Sequence, residues 1–255
     1  MKPLNTTIEH WEGKRVWIIG ASSGIGKALA NTLRSEGAFL ALSARRDIAS
    51  NQKPDMNELN LPLDVRDETS LRSTYHQLRE KWDHLDLVIY CAGIYTPMRA
   101  WEIDLDIIND SIATNLQGVY NMLSMIVPDM VRQRKGGICL VSSVAGYTGL
   151  PKAFSYGPGK AALINLAQIL YSDLSPKGVS VYLVNPGFVA TRLTQQNDFK
   201  MPALMTSDDA AKEIVKGLSE GRFEIHFPRR FTYCLKWLSR LPDRLRFYLI
   251  KRVVQ

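Results

Sequence analysis

Apolar residues along this chain fall in short β-branched runs separated by longer stretches with helical spacing. "RVWIIG" (15–20), "FLALSA" (39–44), "LNLPLDV" (59–65), "LDLVIYCAG" (85–93), "GICLVSS" (137–143) and "VSVYLVNPG" (179–187) are apolar nearly throughout, as strands covered on both faces must be. Between them the spacing predicts helices near 24–36, 67–83, 104–133, 155–175 and 207–220. The second crossover, about 46 to 58, contains "SNQKPDMN" and predicts a short or broken helix. Such alternation requires right-handed crossovers, and so an α/β fold: a single doubly wound parallel sheet with helices on both faces. No repeat or linker interrupts the pattern before about residue 221, so residues 1–221 read as one domain. Residues 222–255 read as a last short strand and a basic amphipathic helical tail, packed on that domain, a subunit or a membrane.

Composition changes this picture in one place. The 255 residues are 45% apolar and 22% charged, ordinary for a globular protein. The net charge of +7, however, belongs wholly to the end of the chain: from Arg222 onward there are nine Lys or Arg against two acids, Glu224 and Asp243. Drawn as a helix, "RRFTYCLKWLSRL" (229–241) gathers Phe231, Cys234, Leu235, Leu238 and Leu241 on one face. Arg229, Lys236 and Arg240 stand opposite, with Tyr233 and Trp237 at the borders. A helix of this kind suits a membrane interface, the protein's own core or a subunit, or an acidic partner. No helix-turn-helix, zinc module or RNA-binding motif accompanies it, so no nucleic-acid partner is expected. Peripheral membrane contact, if made, would run through 229–254, at the inner face of a membrane. Cys91, Cys139 and Cys234 read as buried reduced thiols, and the N-terminus has no secretory apolar stretch, so the expected location is cytoplasmic. His10, His76, His84 and His226 form no metal-like pair, and no metal is expected.

The candidate chemistry begins at "IIGASSGIG" (18–26), which closes the first strand and opens a helix. Gly20, Gly24 and Gly26, with Ser22, Ser23 and Ile25 between them, allow a tight turn and let the backbone approach a pyrophosphate at a helix start. Alone, a glycine triplet can be only a turn; after the first strand of an alternating chain it points to a dinucleotide. At the end of the second strand "SARR" has Ala44 where an acid would hold a ribose hydroxyl, followed by Arg45 and Arg46. Guanidinium groups there suit a 2′-phosphate, unless they are simply solvated. NADP(H) is favoured and NAD(H) remains possible.

Taken in order, "GASSGIG", "LDV" (63–65), "CAG" (91–93), "NLQG" (115–118), "SSVAG" (142–146), "YGPGK" (156–160) and "NPGFVAT" (185–191) resemble the short-chain dehydrogenase/reductase family across nearly all of 14–220. The resemblance implies a Rossmann-like sheet, a homodimer or homotetramer, and a catalytic set of Asn115, Ser143, Tyr156 and Lys160. Tyr156 would be the general acid/base, and Lys160 would lower its pKa, since a free phenol at about 10 is a poor match for neutral pH. Ser143 would hold the substrate oxygen, and Asn115 a helix irregularity and a relay water. The cofactor would also meet Asp64, Val65, Ala92 and Gly93, with Pro186, Gly187, Val189 and Thr191 on its carboxamide side.

The chain departs from the family at Ile19, at Tyr90 and Cys91 where asparagines are frequent, and at Pro158 inside "YGPGK". That segment reads either as a loop or as the first turn of a helix, where proline is tolerated. Expected substrate walls are Ile94, Tyr95, Tyr147, Leu150, Phe188, Leu193 and segment 192–206, which suit a small hydrophobic carbonyl or alcohol. The alternatives are a non-catalytic NADP-binding sensor or scaffold and a membrane-surface reductase of a lipid intermediate.

Overall fold

The computed structural model describes residues 2–45, 48, 57–199 and 201–254. Seven parallel strands form one sheet: β1 (Arg15–Ile19), β2 (Phe39–Ser43), β3 (Glu58–Asn60), β4 (Leu87–Tyr90), β5 (Gly137–Val141), β6 (Ser180–Pro186) and β7 (Glu224–Phe227). Their order is β3-β2-β1-β4-β5-β6-β7. Helices α1 (Gly24–Ser35), α2 (Glu68–Lys81), α3 (Leu105–Ile112), α4 (Gly118–Gln133), α5 (Gly157–Leu174) and α6 (Ser207–Ser219) cover both faces. The apolar run at 59–65 yields only the short edge strand β3, although the Leu61 and Leu63 N–H groups beyond it still donate to the Leu42 and Ala44 carbonyls at 2.9 and 3.0 Å. Most of the crossover expected at 46–58 lies outside the described residues.

Alternation along each strand splits the core in two. In β1, Trp17 and Ile19 face the layer of α2, α4 and α5, packing with Leu71, Met122 and Leu163. Val16 and Ile18 face the layer of α1 and α6, packing with Leu29 and Ile214. Burying each such side chain is worth about 1.5–3 kcal/mol, and a slip of one residue would exchange the two layers.

The predicted helix 104–133 is broken. Between α3 and α4, Ala113–Gln117 form a π-helical turn. The strand beneath accounts for it: Tyr90, 1% exposed, donates its hydroxyl to the Thr114 carbonyl at 2.7 Å. Gly118 completes the fit, since a Cβ there would run into the Tyr90 hydroxyl and stand 2.9 Å from Val65 Cβ. The asparagine-to-tyrosine departure thus supplies a brace of its own.

The tail differs in its facing. β7 leads into α7 (Arg229–Ser239) and α8 (Asp243–Val254). Thr232 is fully buried and Lys236 turns inward to Glu224 of β7 at 2.6 Å, whereas Cys234, Tyr233 and Trp237 are exposed. The inward face is rotated by about 100°, one residue step, from the apolar face drawn from sequence. Of that expected face Phe231 packs inward on Phe188 and Leu235, Leu238 and Leu241 are half-buried, while Cys234 is exposed. The cause is a charge pair and a threonine hydroxyl, which hydrophobic spacing does not register.

Removing the brace should cost stability. Tyr90→Phe strips the Thr114 carbonyl of its buried donor, and urea unfolding should show a loss of about 1–3 kcal/mol; an unchanged midpoint would mean the π-turn stands without it.

Candidate active site

The order of the sheet reverses between β1 and β4. Ile19, at the end of β1, stands level with Ser43 of β2 and Tyr90 of β4, and the loops beyond them diverge in opposite directions. A cleft of about 550 Å³ opens there, where open α/β sheets bind ligands.

One end is built by the glycine loop. Gly20 has φ +94°, and a Cβ on it would lie 2.5 Å from Ala92 N, so this turn leaves no room for a side chain. A Cβ on Gly26 would strike the Gly20 carbonyl. Gly24, at φ +55°, starts α1 beside Thr191, whose Cγ2 lies 3.0 Å from where a Cβ would be. Ser22, Ser23 and Ile25 line the cleft with these glycines.

Across the loop stand Arg45, Asp64 and Val65; Arg46 lies outside the described residues. Arg66 grips the Asp64 carboxylate at 2.8 Å and reaches Asp110 at 3.2 Å. Its hydrogen bonds hold the Asp64 carboxyl below the usual carboxylate range, and the Arg45 charge adds to this. Asp110 and Thr114 also line the cleft, and sequence reasoning missed both: Asp110 sits in α3 and Thr114 in the π-turn, each outside the quoted motifs. The Thr114 hydroxyl is buried without a hydrogen-bond partner among the described residues.

At the other end α5 answers the question raised by "YGPGK". Tyr156 is its N-cap, Pro158 sits in the first turn, and the Lys160 N–H donates to the Tyr156 carbonyl at 3.1 Å. The segment is a helix start. It brings Tyr156 and Lys160 to the cleft beside Ser143, which follows β5. Lys160 is 3% exposed; its ammonium donates to the Val141 carbonyl at 2.9 Å and lies 5.4 Å from the Tyr156 ring centre. Ser142, of the opposite parity, donates to the Lys160 carbonyl at 2.8 Å.

Asn115 does not line the cleft. Within the π-turn its amide pairs with both the N–H and the C=O of Ile94, each at 2.9 Å, and donates to Ser111. Only the bare Cα of Gly93 separates it from Lys160: a Cβ there would be 3.1 Å from Asn115 Oδ1 and 3.7 Å from Lys160 Nζ. Ala92, Gly93, Pro186, Gly187, Val189 and Thr191 also line the cleft.

The substrate walls divide. Ile94, Tyr95 and Leu193 line the cleft, with Tyr95 edge-on to Tyr156 at 5.2 Å and bonded to Asn197 at 3.1 Å. Tyr147 and Leu150 instead line a separate groove with Met98 and Trp101, because the Tyr147 hydroxyl is drawn to Glu224 at 2.6 Å. Phe188 turns away to pack edge-on against Phe199 and tilted against Phe231. Among the described residues no three His, Cys, Asp or Glu side chains converge as a metal site.

Burial sets the protonation states. It pushes the Tyr156 phenol up to about 12, while the Ser143 hydroxyl pulls the other way. It pushes the Lys160 ammonium down to about 8, and the Cys91 thiol up to about 12. Desolvation of the phenolate therefore sets the direction for Tyr156.

Residues 14–201 match the family model described as short chain dehydrogenase. An uncharacterized oxidoreductase of Myxococcus xanthus is 34% identical over 236 residues, covering 89% of this chain and 92% of that protein. The 3-oxoacyl-[acyl-carrier-protein] reductase of Escherichia coli is 30% identical over 216 residues, covering 84% and 85% respectively. Among solved structures, a short chain dehydrogenase from Burkholderia cenocepacia in complex with NADP superposes with a TM-score of 0.82 at 21% identity, covering 96% of this chain and 99% of that one.

Burial of Lys160 ties stability to pH. Its pKa falls from 10.5 in the ordinary state to about 8 in the fold, so between those values the unfolded chain holds a proton that the folded chain has released. The burial penalty is full below that window and is relieved as pH rises through it. Tyr156, raised from 10.0 to about 12, acts in the opposite sense and only above its ordinary value. Against Lys160→Met, the wild type should gain about 2 kcal/mol in urea unfolding between about pH 8 and about pH 10; a constant difference would contradict a desolvated ammonium.

Proposed function

The chain belongs to the short-chain dehydrogenase family, an NAD(P)-dependent class of oxidoreductases, and from that premise we propose that it uses NADP(H) to interconvert a hydrophobic carbonyl compound and its alcohol. The observation carrying this reading is the convergence of Tyr156, Ser143 and Lys160 at one end of a cleft whose other end holds the glycine loop and Arg45. A cofactor sensor would need the second end only.

The residues fit a dinucleotide. Gly20 and Gly26 leave backbone exposed where no side chain can stand, and Ser23 spends no hydroxyl on capping α1, so the first-turn N–H groups are available to a pyrophosphate. The unpartnered Thr114 hydroxyl and the Arg66-held Asp64 offer polar contacts on the adenine side. Ala44 puts no carboxylate near a ribose phosphate, and exposed Arg45 puts a cation there; the Burkholderia cenocepacia neighbour is itself bound to NADP. When bound, the nicotinamide would supply or accept the hydride.

The chain's own groups would do the rest. Tyr156, protonated across the neutral range, gives its proton to the carbonyl oxygen in reduction and takes it back in oxidation. Ser143 holds that oxygen within reach of the phenol. Lys160 places positive charge 5.4 Å from the ring centre, where it steadies the phenolate left behind. Asn115, tied to Ile94, fixes the loop after β4 and with it Tyr95.

Ile94, Tyr95 and Leu193 make the wall beside Tyr156 apolar, which favours a carbonyl on a hydrocarbon chain over a sugar. The similarity to a 3-oxoacyl reductase points the same way. Ile112, Tyr120 and Ile169, each about half exposed on α3, α4 and α5, would be covered in a homodimer or homotetramer.

With NADPH and a panel of ketones graded by chain length, Tyr156→Phe should lower kcat about 10²–10⁴-fold and leave NADPH affinity unchanged. Comparable turnover in the variant would remove Tyr156 from the chemistry. Arg45→Ala should raise KM for NADPH about tenfold and leave KM for NADH alone, as the loss of one charge-assisted contact requires; equal effects on both cofactors would assign the arginine no part in the choice.

A further inference from the structure

The cleft makes no use of the outer side of the tail. Helix α7 is locked in rotation: Thr232 is fully buried, Lys236 is paired with Glu224 at 2.6 Å, and Phe231 packs on Phe188. Its outward stripe is therefore settled. Arg230, Tyr233, Trp237 and Arg240 follow one another at steps of three, four and three residues and so share a face. Tyr233 and Trp237 are 57% and 59% exposed. On α8, Phe247 and Tyr248 are each 50% exposed.

Charge on these helices is one-sided. From Arg229 to Arg252 there are eight Lys or Arg and one acid, Asp243. Lys236 and Arg246 are taken up by Glu224 and Asp243. Arg229, Arg230, Arg240, Arg244 and Lys251 enter no ion pair among the described residues.

We propose that the outward face of α7, continued by α8, is a docking surface for an anionic lipid bilayer. Tyrosine and tryptophan carry an apolar body with a polar tip, and such rings with arginines beside them settle at the headgroup boundary. The cations meet the lipid phosphates, with an attraction confined to about a Debye length. A second copy of the chain fits poorly: a two-fold contact sets each patch against itself, and here that brings unpaired arginines together. No helix of the described chain is long and apolar enough to cross a membrane, so the contact is peripheral. Its inner side touches the loop that follows β6, so a docked α7 holds the cleft close to the lipid surface.

The test is sedimentation of the full chain with phosphatidylcholine vesicles, with and without phosphatidylglycerol, at low and high salt. The bound fraction should rise at least about tenfold with the anionic lipid and fall with salt, as an electrostatic partition does. Tyr233→Ser with Trp237→Ser, and separately Arg230→Glu with Arg240→Glu, should each abolish binding while circular dichroism and turnover stay at wild-type levels. If either pair unfolds the chain, a fluorophore on the exposed thiol Cys234 reports instead, its emission shifting blue only with anionic vesicles. No binding by the wild type, equal binding to neutral vesicles, binding unaffected by both variant pairs, or preference for a single-stranded oligonucleotide over vesicles would each overturn the proposal.

Discussion

A lysine ammonium kept almost out of water is the constraint around which the cleft is arranged. A buried charge costs several kcal/mol unless its protons are met, and Lys160 meets the Val141 carbonyl at the end of β5. The strand end must therefore stop where α5 begins, and Ser142 ties the same turn by donating to the Lys160 carbonyl. Small residues do the remaining fitting. A Cβ on Gly146 would stand 2.7 Å from the Lys160 carbonyl carbon, and one on Gly93 would crowd Asn115. Strand, helix start and two loops thus meet around Lys160, through its ammonium and its carbonyl, and Tyr156 takes its place from the same first turn.

What was legible in the sequence was whatever backbone geometry demands locally. The strands showed through unbroken apolar runs, because both their faces are covered. The glycines of the loop showed because a φ of +94° at Gly20 admits little else. The π-turn was implied only by the family resemblance, as an irregularity at Asn115; helical spacing does not carry it, since the Thr114 carbonyl it frees is met by Tyr90, 24 residues away. Tyr147 reads as a substrate wall because it is aromatic and follows the carboxyl end of a strand, yet its hydroxyl finds Glu224, 77 residues on. Asp110 was invisible for the same reason, being defined only by Arg66 reaching across from another element. The Tyr156 pKa shows a different limit. Sequence spacing places a lysine one turn away, and only the packed surroundings show how far the phenol is desolvated.

Glu224 makes the tail part of the domain's frame. Its carboxylate accepts from Tyr147 and Asn185 on one oxygen, at 2.6 and 2.7 Å, and pairs with Lys236 on the other. These partners come from the loop after β5, from β6 and from α7, and together they hold the carboxyl below its usual range despite its burial. One acid thus joins the cleft's supporting strand to a helix whose outer side faces solvent, which is why hydrophobic spacing alone misjudged that helix's rotation.

Tyr90 and Gly118 occupy one volume between them, the ring of the first extending into the space that the second leaves empty. Neither can change by itself without a clash or a void. In a mutational lineage the two positions would behave as a single inherited unit: a larger residue at 118 is excluded while Tyr90 persists, and a smaller one at 90 opens a cavity while Gly118 persists. The energies of the two substitutions are accordingly non-additive, and the route by which a chain of this kind leaves the asparagine pattern, or returns to it, passes through both sites together.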